Sequence, residues 1–267
     1  MNWADKAIAN PQGYDRAVLF PRARDALSAY VALGHKVALP ICVCPEIAQH
    51  ADSFLDVDRC GMAPGTQLYG YRYDHDEEID LDPLMTGWFL GYTNPYRIVS
   101  FGANKILPLV GGGAFLTDDL KMAEQLEVSG FFPGGDNYAC RVQLLLHQLE
   151  DTVYRKRQQI KMWDRYLGEM LGRIPQEQVM PWNVMRLAPP ETRRLFVKAL
   201  RLAGIAVSTN YPLISDEVFL FPSSYPGGMR WSSSVISFPL HDEPDIYEYE
   251  KYVARAAKVI YGIINPT

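Results

Sequence analysis

The chain has 267 residues, of which 48% are hydrophobic and 12% aromatic, and its formal net charge is −5 at pH 7. That length and apolar fraction predict a substantial core, buried in one large domain or in a large and a small one. A negative net charge without a basic patch argues against binding to nucleic acid or to an anionic membrane surface.

Cysteine usage and apolar patterning favour a cytoplasmic protein. The four cysteines are few for this length, and Cys42 and Cys44 lack the spacing of a zinc knuckle or a redox pair. Residues 1–15 do not combine a basic segment with an apolar run, and no apolar stretch approaches the length of a membrane span. We therefore expect a reducing, cytoplasmic environment.

The first elements are marked by helical spacing and by glycine and proline stops. Apolar residues at helical spacing predict a helix over 22–33 that ends at Gly34. A short buried strand over 37–39 follows, closed by Pro40, and residues 52–58 have the pattern of a strand end. Residues 69–82 mix aromatic and acidic side chains without a clear period.

The middle of the chain predicts two strands and two helices. The strands are expected at 97–101 and 114–116, the second led in by a run of three glycines at 111–113. Asp118 and Asp119 can cap a helix that runs toward Val128. A sustained 3.6-residue period predicts the longest helix over 141–171.

The C-terminal part alternates strands and helices. We expect strands at 184–186 and 205–207, a helix over 190–203 stopped by Gly204, and a last helix over 244–260. This order is typical of a small α/β domain. We place the boundary within the long helix, with a large domain over 1–160 and a small one over 161–267.

A motif after the strand at 97–101 contains the candidate for a chemically active lysine. Residues 100–105 read Ser-Phe-Gly-Ala-Asn-Lys, and residues 111–118 read Gly-Gly-Gly-Ala-Phe-Leu-Thr-Asp. A lysine after a strand is by itself usually a solvated charge. Together these segments resemble the Ser-Phe-x-x-x-Lys and Gly-Gly-(apolar)-Thr-Asp signatures of the DegT/DnrJ/EryC1/StrS family of pyridoxal-phosphate sugar aminotransferases. Further matching segments follow in the same order, at 20–27, 39–45, 136–138, 148–150, 204–205, 210–212 and 237–241.

The resemblance implies the α/β fold of the fold type I pyridoxal-phosphate (PLP) transferases. Family members are longer, and the missing length falls between Cys44 and Ser100. We therefore expect a truncated, mixed or mostly parallel sheet in the large domain, which has lost strands or acquired a different edge, and a small C-terminal α/β domain.

The same resemblance implies PLP as the cofactor and Lys105 as the residue that carries it. PLP supplies an electron sink, while a lysine amine forms the internal aldimine and then moves a proton between the substrate and the cofactor. The implied reaction transfers an amino group, with glutamate as an expected donor, to a nucleotide-linked keto sugar. Such an enzyme would serve the biosynthesis of a surface polysaccharide or an amino-sugar product.

Other residues take their roles from the family as well. Arg24, with the amides of Arg24 and Asp25, lies at a predicted helix N-terminus that suits the cofactor phosphate, and Ser100 would add a hydroxyl. Taken alone, Arg24 reads as a surface arginine. Asn137 resembles an asparagine that reaches the phosphate of the neighbouring subunit, which implies a homodimer; it could instead cap the long helix.

The groups that contact the cofactor ring are less defined. Asp80 is the candidate carboxylate for the pyridine nitrogen, with Asp76 and Asp82 as rivals, although acids in turns are usually solvated. Cys44 occupies the place of the ring-stacking residue.

Two further readings stay open. One is a non-catalytic relative that binds a full-length family member or a sugar-nucleotide enzyme, and the other is a PLP-dependent dehydration, which Lys105 argues against. His75, His147 and His241 have no metal-like spacing, so we expect no metal site.

Overall fold

The computed structural model describes residues 9, 13–42, 45–56, 68–72, 77–81, 96–101, 112–129, 135–173, 183–209, 222–240 and 245–266. Within them the strands form a larger and a smaller sheet. The larger sheet has seven strands in the order β1-β7-β6-β5-β4-β2-β3. Its strands are β1 (Arg16–Phe20), β2 (Val37–Pro40), β3 (Ser53–Leu55), β4 (Leu68–Arg72), β5 (Glu77–Leu81), β6 (Tyr96–Ser100) and β7 (Gly113–Thr117). The smaller sheet has the order β10-β9-β8 and comprises β8 (Gly172–Arg173), β9 (Asn183–Leu187) and β10 (Val235–Pro239).

Helices cover these sheets. They are α1 (Ala23–Ala32), α2 (Pro45–Ala48), α3 (Leu120–Glu127), α4 (Gly135–Leu167), α5 (Pro190–Leu202), α6 (Pro226–Ser234) and α7 (Ile246–Ile264). A short 3₁₀ turn, Pro222–Ser224, precedes α6.

Several predicted boundaries are confirmed to within a few residues. Helices α1 and α5 end just before Gly34 and Gly204, whose φ angles of 92° and 73° lie in the left-handed region that glycine tolerates. Asp119 caps α3 by accepting a hydrogen bond from the Met122 amide at 3.0 Å. Asp118 has another role, because it accepts the Asp15 amide at 2.8 Å.

Two predicted elements differ from the structure. Residues 205–207 form no strand, since only a single antiparallel bridge, between Ser208 and Ser237, joins this segment to β10. The amide of Ala206 instead donates to the Tyr252 hydroxyl at 3.0 Å. The long helix begins at Gly135, six residues earlier than the apolar period indicated, and is 33 residues long.

The larger sheet contains both parallel and antiparallel strand pairs. The lengths of the segments that connect its strands explain two of these pairings. Residues 73–76 alone join β4 to β5, which pair antiparallel. A parallel crossover needs about a dozen residues or more, so a link this short can only make a hairpin. Residues 82–95 join β5 to β6, and that longer link is compatible with their parallel pairing.

Among the described residues, two buried clusters organise the packing. One lies between the larger sheet and α1, and it includes Tyr30, Phe115, Trp231 and Val235. The other lies between the smaller sheet and helices α4, α5 and α7, around Trp163. Because Trp231 belongs to α6 and Val235 begins β10, the polypeptide leading into the smaller sheet is buried against the larger one.

Candidate functional site

The strands that precede the motif segments end at one edge of the larger sheet. Strand β1 is antiparallel to β7, and β7 is antiparallel to β6, so β1 and β6 run in the same direction. The remaining pairings give β5, β2 and β3 that direction as well. Carboxyl ends of strands at one sheet edge are where α/β proteins commonly bind ligands.

Three strands meet in register at this edge. Gly113 of β7 pairs with Phe20 of β1 on one side and with Ser100 of β6 on the other. Just beyond, Arg22 forms a parallel bridge with Gly112, and the Phe101 amide donates to the Gly112 carbonyl at 3.0 Å. Ser100 is partly exposed, and only β7 separates its strand from the segment that leads from β1 into α1.

Gly113 has a steric reason to be glycine. A Cβ atom built there would lie 2.4 Å from the amide nitrogen and 2.6 Å from the Cα of Ala23, the first residue of α1. Such distances are far inside van der Waals contact, so only glycine allows β7 to pass this close to the helix.

The N-terminus of α1 carries the electrostatic character of an anion site. The N-cap residue is Arg22, and its side chain makes no capping hydrogen bond. The Asp25 amide donates to the Arg22 carbonyl at 3.0 Å within the first turn. Helix N-termini favour anions through their amides and the helix dipole, and Arg24 adds a positive charge in the same turn.

His50 is a nearby titratable group that sequence reasoning missed. Its Nε2 lies 3.2 Å from the Ser28 hydroxyl, which itself donates to the Arg24 carbonyl at 2.9 Å. Burial lowers the pKa of His50, Arg24 lowers it further, and Asp25 opposes the shift. The pKa of His50 therefore responds to charge at the start of α1. No sequence signal distinguishes this histidine from a surface one.

The structure describes only some of the other predicted site residues. Asp80 lies in β5, in register with Arg97 of β6, and its backbone alone is described. Asn137 lies in the first turn of α4, two residues after the helix begins, so its backbone position does not suit an N-cap. Lys105, Cys44 and the rival acids Asp76 and Asp82 lie outside the described residues, as do His75 and His241.

The described part of the chain contains neither a metal-binding cluster nor a membrane-spanning helix. No group of three His, Cys, Asp or Glu side chains there could hold a metal ion. None of its helices combines the length and the apolar character that crossing a bilayer requires.

Comparison with known proteins supports the fold. No family model and no curated protein matches the chain. Among solved structures, a DegT DnrJ EryC1 StrS aminotransferase from Brucella abortus superimposes with a TM-score of 0.72 at 16% identity, covering 97% of this chain and 89% of that one. The chain has the fold of DegT/DnrJ/EryC1/StrS-type aminotransferases. This result confirms the fold type I PLP-transferase architecture expected from the sequence.

Two further structures share this aminotransferase fold. PseC from Helicobacter pylori, an aminotransferase involved in the biosynthesis of pseudoaminic acid, has a TM-score of 0.77 at 12% identity and covers 97% of this chain and 90% of its own. Spr1654 from Streptococcus pneumoniae, solved in its PLP form, has a TM-score of 0.75 at 14% identity, covering 98% and 91%.

Proposed function

We propose that this protein is a PLP-dependent aminotransferase that transfers an amino group to a nucleotide-linked keto sugar, with glutamate as the expected donor. One observation carries the proposal: the start of α1, with Arg24 in its first turn, lies against Gly113 of β7, and Gly113 pairs with Ser100 of β6 at the same sheet edge. The fold shared with the aminotransferases supports it.

The described residues fit the phosphate of PLP. A dianionic phosphate suits the Arg24 amide at the start of α1, the Arg24 charge and the Ser100 hydroxyl, because each supplies a donor or a positive potential. Gly113 allows the start of α1 to lie directly against β7, because a Cβ there would overlap the backbone of Ala23. Asp25 lies in the same turn, but its amide already donates to the Arg22 carbonyl at 3.0 Å, so the expected role of that amide as a phosphate donor is not supported.

The other residues complete the proposed chemistry. PLP, when bound, supplies an electron sink for the substrate carbanion. Lys105 would hold the cofactor through its amine and would then move the proton at the substrate carbon. Asp80 would keep the pyridine nitrogen protonated, Cys44 would cover the ring, and Asn137 of one subunit of a homodimer would reach the phosphate site of the other.

An amino-transfer assay tests this proposal. Purified protein with PLP and glutamate should release 2-oxoglutarate in an amount equal to the protein, and turnover should then need an added keto-sugar nucleotide. Lys105→Ala should abolish the release, whereas Lys121→Ala, which alters an exposed lysine of α3, should leave it unchanged. No release by any amino donor would contradict the proposal and favour a non-catalytic role.

A further inference from the structure

A buried carboxylate joins the edge of the larger sheet to the helix that leads into the smaller one. Asp56 follows β3 directly and is 8% exposed. Its Oδ2 accepts the Gly227 amide at 2.9 Å, and its Oδ1 accepts the Gly228 amide at 2.7 Å. These residues are 171 and 172 positions apart along the chain.

This carboxylate acts as the cap of α6. The N-cap residue of α6, Tyr225, makes no side-chain capping hydrogen bond, and the first turn contains no acidic residue. Two charge-assisted hydrogen bonds and the helix dipole therefore favour a negative charge supplied from elsewhere in the fold. Asp56 supplies that charge from the larger sheet.

Further contacts hold α6 against the larger sheet, and we call this region, around Asp56, Cys42 and the start of α6, the junction. The buried thiol of Cys42, which follows β2, lies 3.7 Å from the Gly228 carbonyl, and Trp231 packs into the cluster beneath the larger sheet. Helix α6 passes directly into β10 of the smaller sheet. The Ser234 carbonyl at that transition also accepts the Ala188 amide at 2.9 Å.

The junction lies at the edge that holds the candidate site. Strand β3 runs in the same direction as β6, so Asp56, which follows β3, and Ser100, the last residue of β6, lie at this same edge. Both Asp56 oxygens accept amides of α6.

We propose that Asp56 is a positioning residue: by capping α6 it fixes the smaller sheet against the cofactor edge and so sets the place of the substrate. The substrate part of this inference rests on the proposed function. The docking part, which states that Asp56 holds α6 and the smaller sheet against the larger sheet, does not, because it concerns hydrogen bonds within this chain.

Hydrogen exchange and steady-state kinetics test the two parts separately. The variants are Asp56→Ala and the milder Asp56→Asn, whose amide oxygen can accept only one of the two amides well. The control is Asp245→Ala, because Asp245 caps α7 through the amides of Tyr247 and Glu248 but is exposed and lies in the same segment as its helix.

We expect exchange of the 225–234 backbone to accelerate about tenfold or more in Asp56→Ala, since a lost carboxylate cap costs about a factor of ten in local stability. Exchange in 23–32 should not change, and Asp245→Ala should accelerate exchange only around 245–250. In the active enzyme, KM for the amino acceptor should rise at least about fivefold while the affinity for PLP changes less than about twofold.

Unchanged exchange at α6, or equal acceleration throughout the molecule in both Asp56 variants, would overturn the docking role. Faster exchange at α6 with unchanged KM would overturn the positioning role. If the wild-type protein shows no amino transfer, the proposed function fails, yet faster exchange confined to α6 would still establish the docking.

Discussion

Gly113 lies against Ala23 so closely that a Cβ atom on the glycine would come within 2.4 Å of the alanine's amide nitrogen. The contact joins the first residue of β7 to the first residue of α1. It therefore fixes the amides at the start of α1 relative to Ser100, which pairs with Gly113 across β6 and β7.

Gly113→Ala should disturb both stability and cofactor binding. The added methyl group forces the backbones apart, which in a packed interior costs about 1–3 kcal/mol, and it displaces the amide proposed to bind phosphate. Chemical denaturation and a PLP absorbance titration measure the two effects. Gly262→Ala is the matched control, because a Cβ there meets nothing within 4 Å. Equal PLP affinity in both variants would contradict the placement of the phosphate site.

Arg24→Gln should weaken the binding of PLP through its phosphate. Loss of a charge-assisted hydrogen bond costs about 1.5–3 kcal/mol, or roughly 10- to 150-fold in affinity. Binding of pyridoxal, which lacks the phosphate, should change little, so the ratio of the two dissociation constants is the decisive quantity. Arg255→Gln, an exposed change on α7, serves as the control. A parallel loss for PLP and pyridoxal would show that Arg24 acts elsewhere.

His50 should report the charge at the start of α1. Its pKa lies below the ordinary value of 6.5 because of burial and Arg24, with Asp25 opposing. Arg24→Gln should raise the pKa of His50 and Asp25→Asn should lower it, as measured by NMR titration of the imidazole. Inorganic phosphate bound beside Arg24 should raise the pKa of His50 in the wild type. A titration curve insensitive to all three changes would contradict this coupling.

The same shift fixes the sign of a pH effect on folding. A histidine whose pKa is lower in the folded state takes up its proton more readily when unfolded. The stability linked to His50 is therefore fully present above pH 6.5 and is lost as the pH falls from 6.5 through the folded-state pKa. His50→Gln should reduce the loss of unfolding free energy between pH 7.5 and pH 5, as followed by urea denaturation. An identical loss in the variant would show that other groups dominate.

Sequence patterns predicted those elements whose signals are local. The apolar period and the left-handed stops at Gly34 and Gly204 were enough to place α1 and α5. Asp119 was recognisable as a cap because capping depends on residues three positions apart. The order of motifs was enough to predict the fold, which the solved aminotransferase structures confirm.

Elements held by distant contacts were missed. Helix α6 has the sequence Pro-Gly-Gly-Met-Arg-Trp-Ser-Ser-Ser, whose glycines and serines are poor helix formers. It is stabilised by Asp56, far away in sequence, and by burial of Trp231. The β4–β5 hairpin was missed because its residues lack a clear period. The proximity of His50 to Arg24 is likewise a product of the fold.

The protein should be a homodimer if Asn137 contributes to a neighbouring phosphate site. Light scattering coupled to size exclusion should then give twice the chain mass of 30.2 kDa. Asn137→Ala should weaken PLP binding by about tenfold without dissociating the dimer, because it removes one hydrogen bond to a charged group. A monomer that binds PLP with full affinity would contradict the shared site.

The most direct test of the account is to find which residue holds the cofactor. Protein incubated with PLP should absorb in the visible range, and borohydride reduction followed by peptide mapping should place the adduct on Lys105. Lys105→Ala should lose both signals, while Lys121→Ala should keep them. An adduct on another lysine, or none at all, would contradict the assignment of this sheet edge as a PLP site.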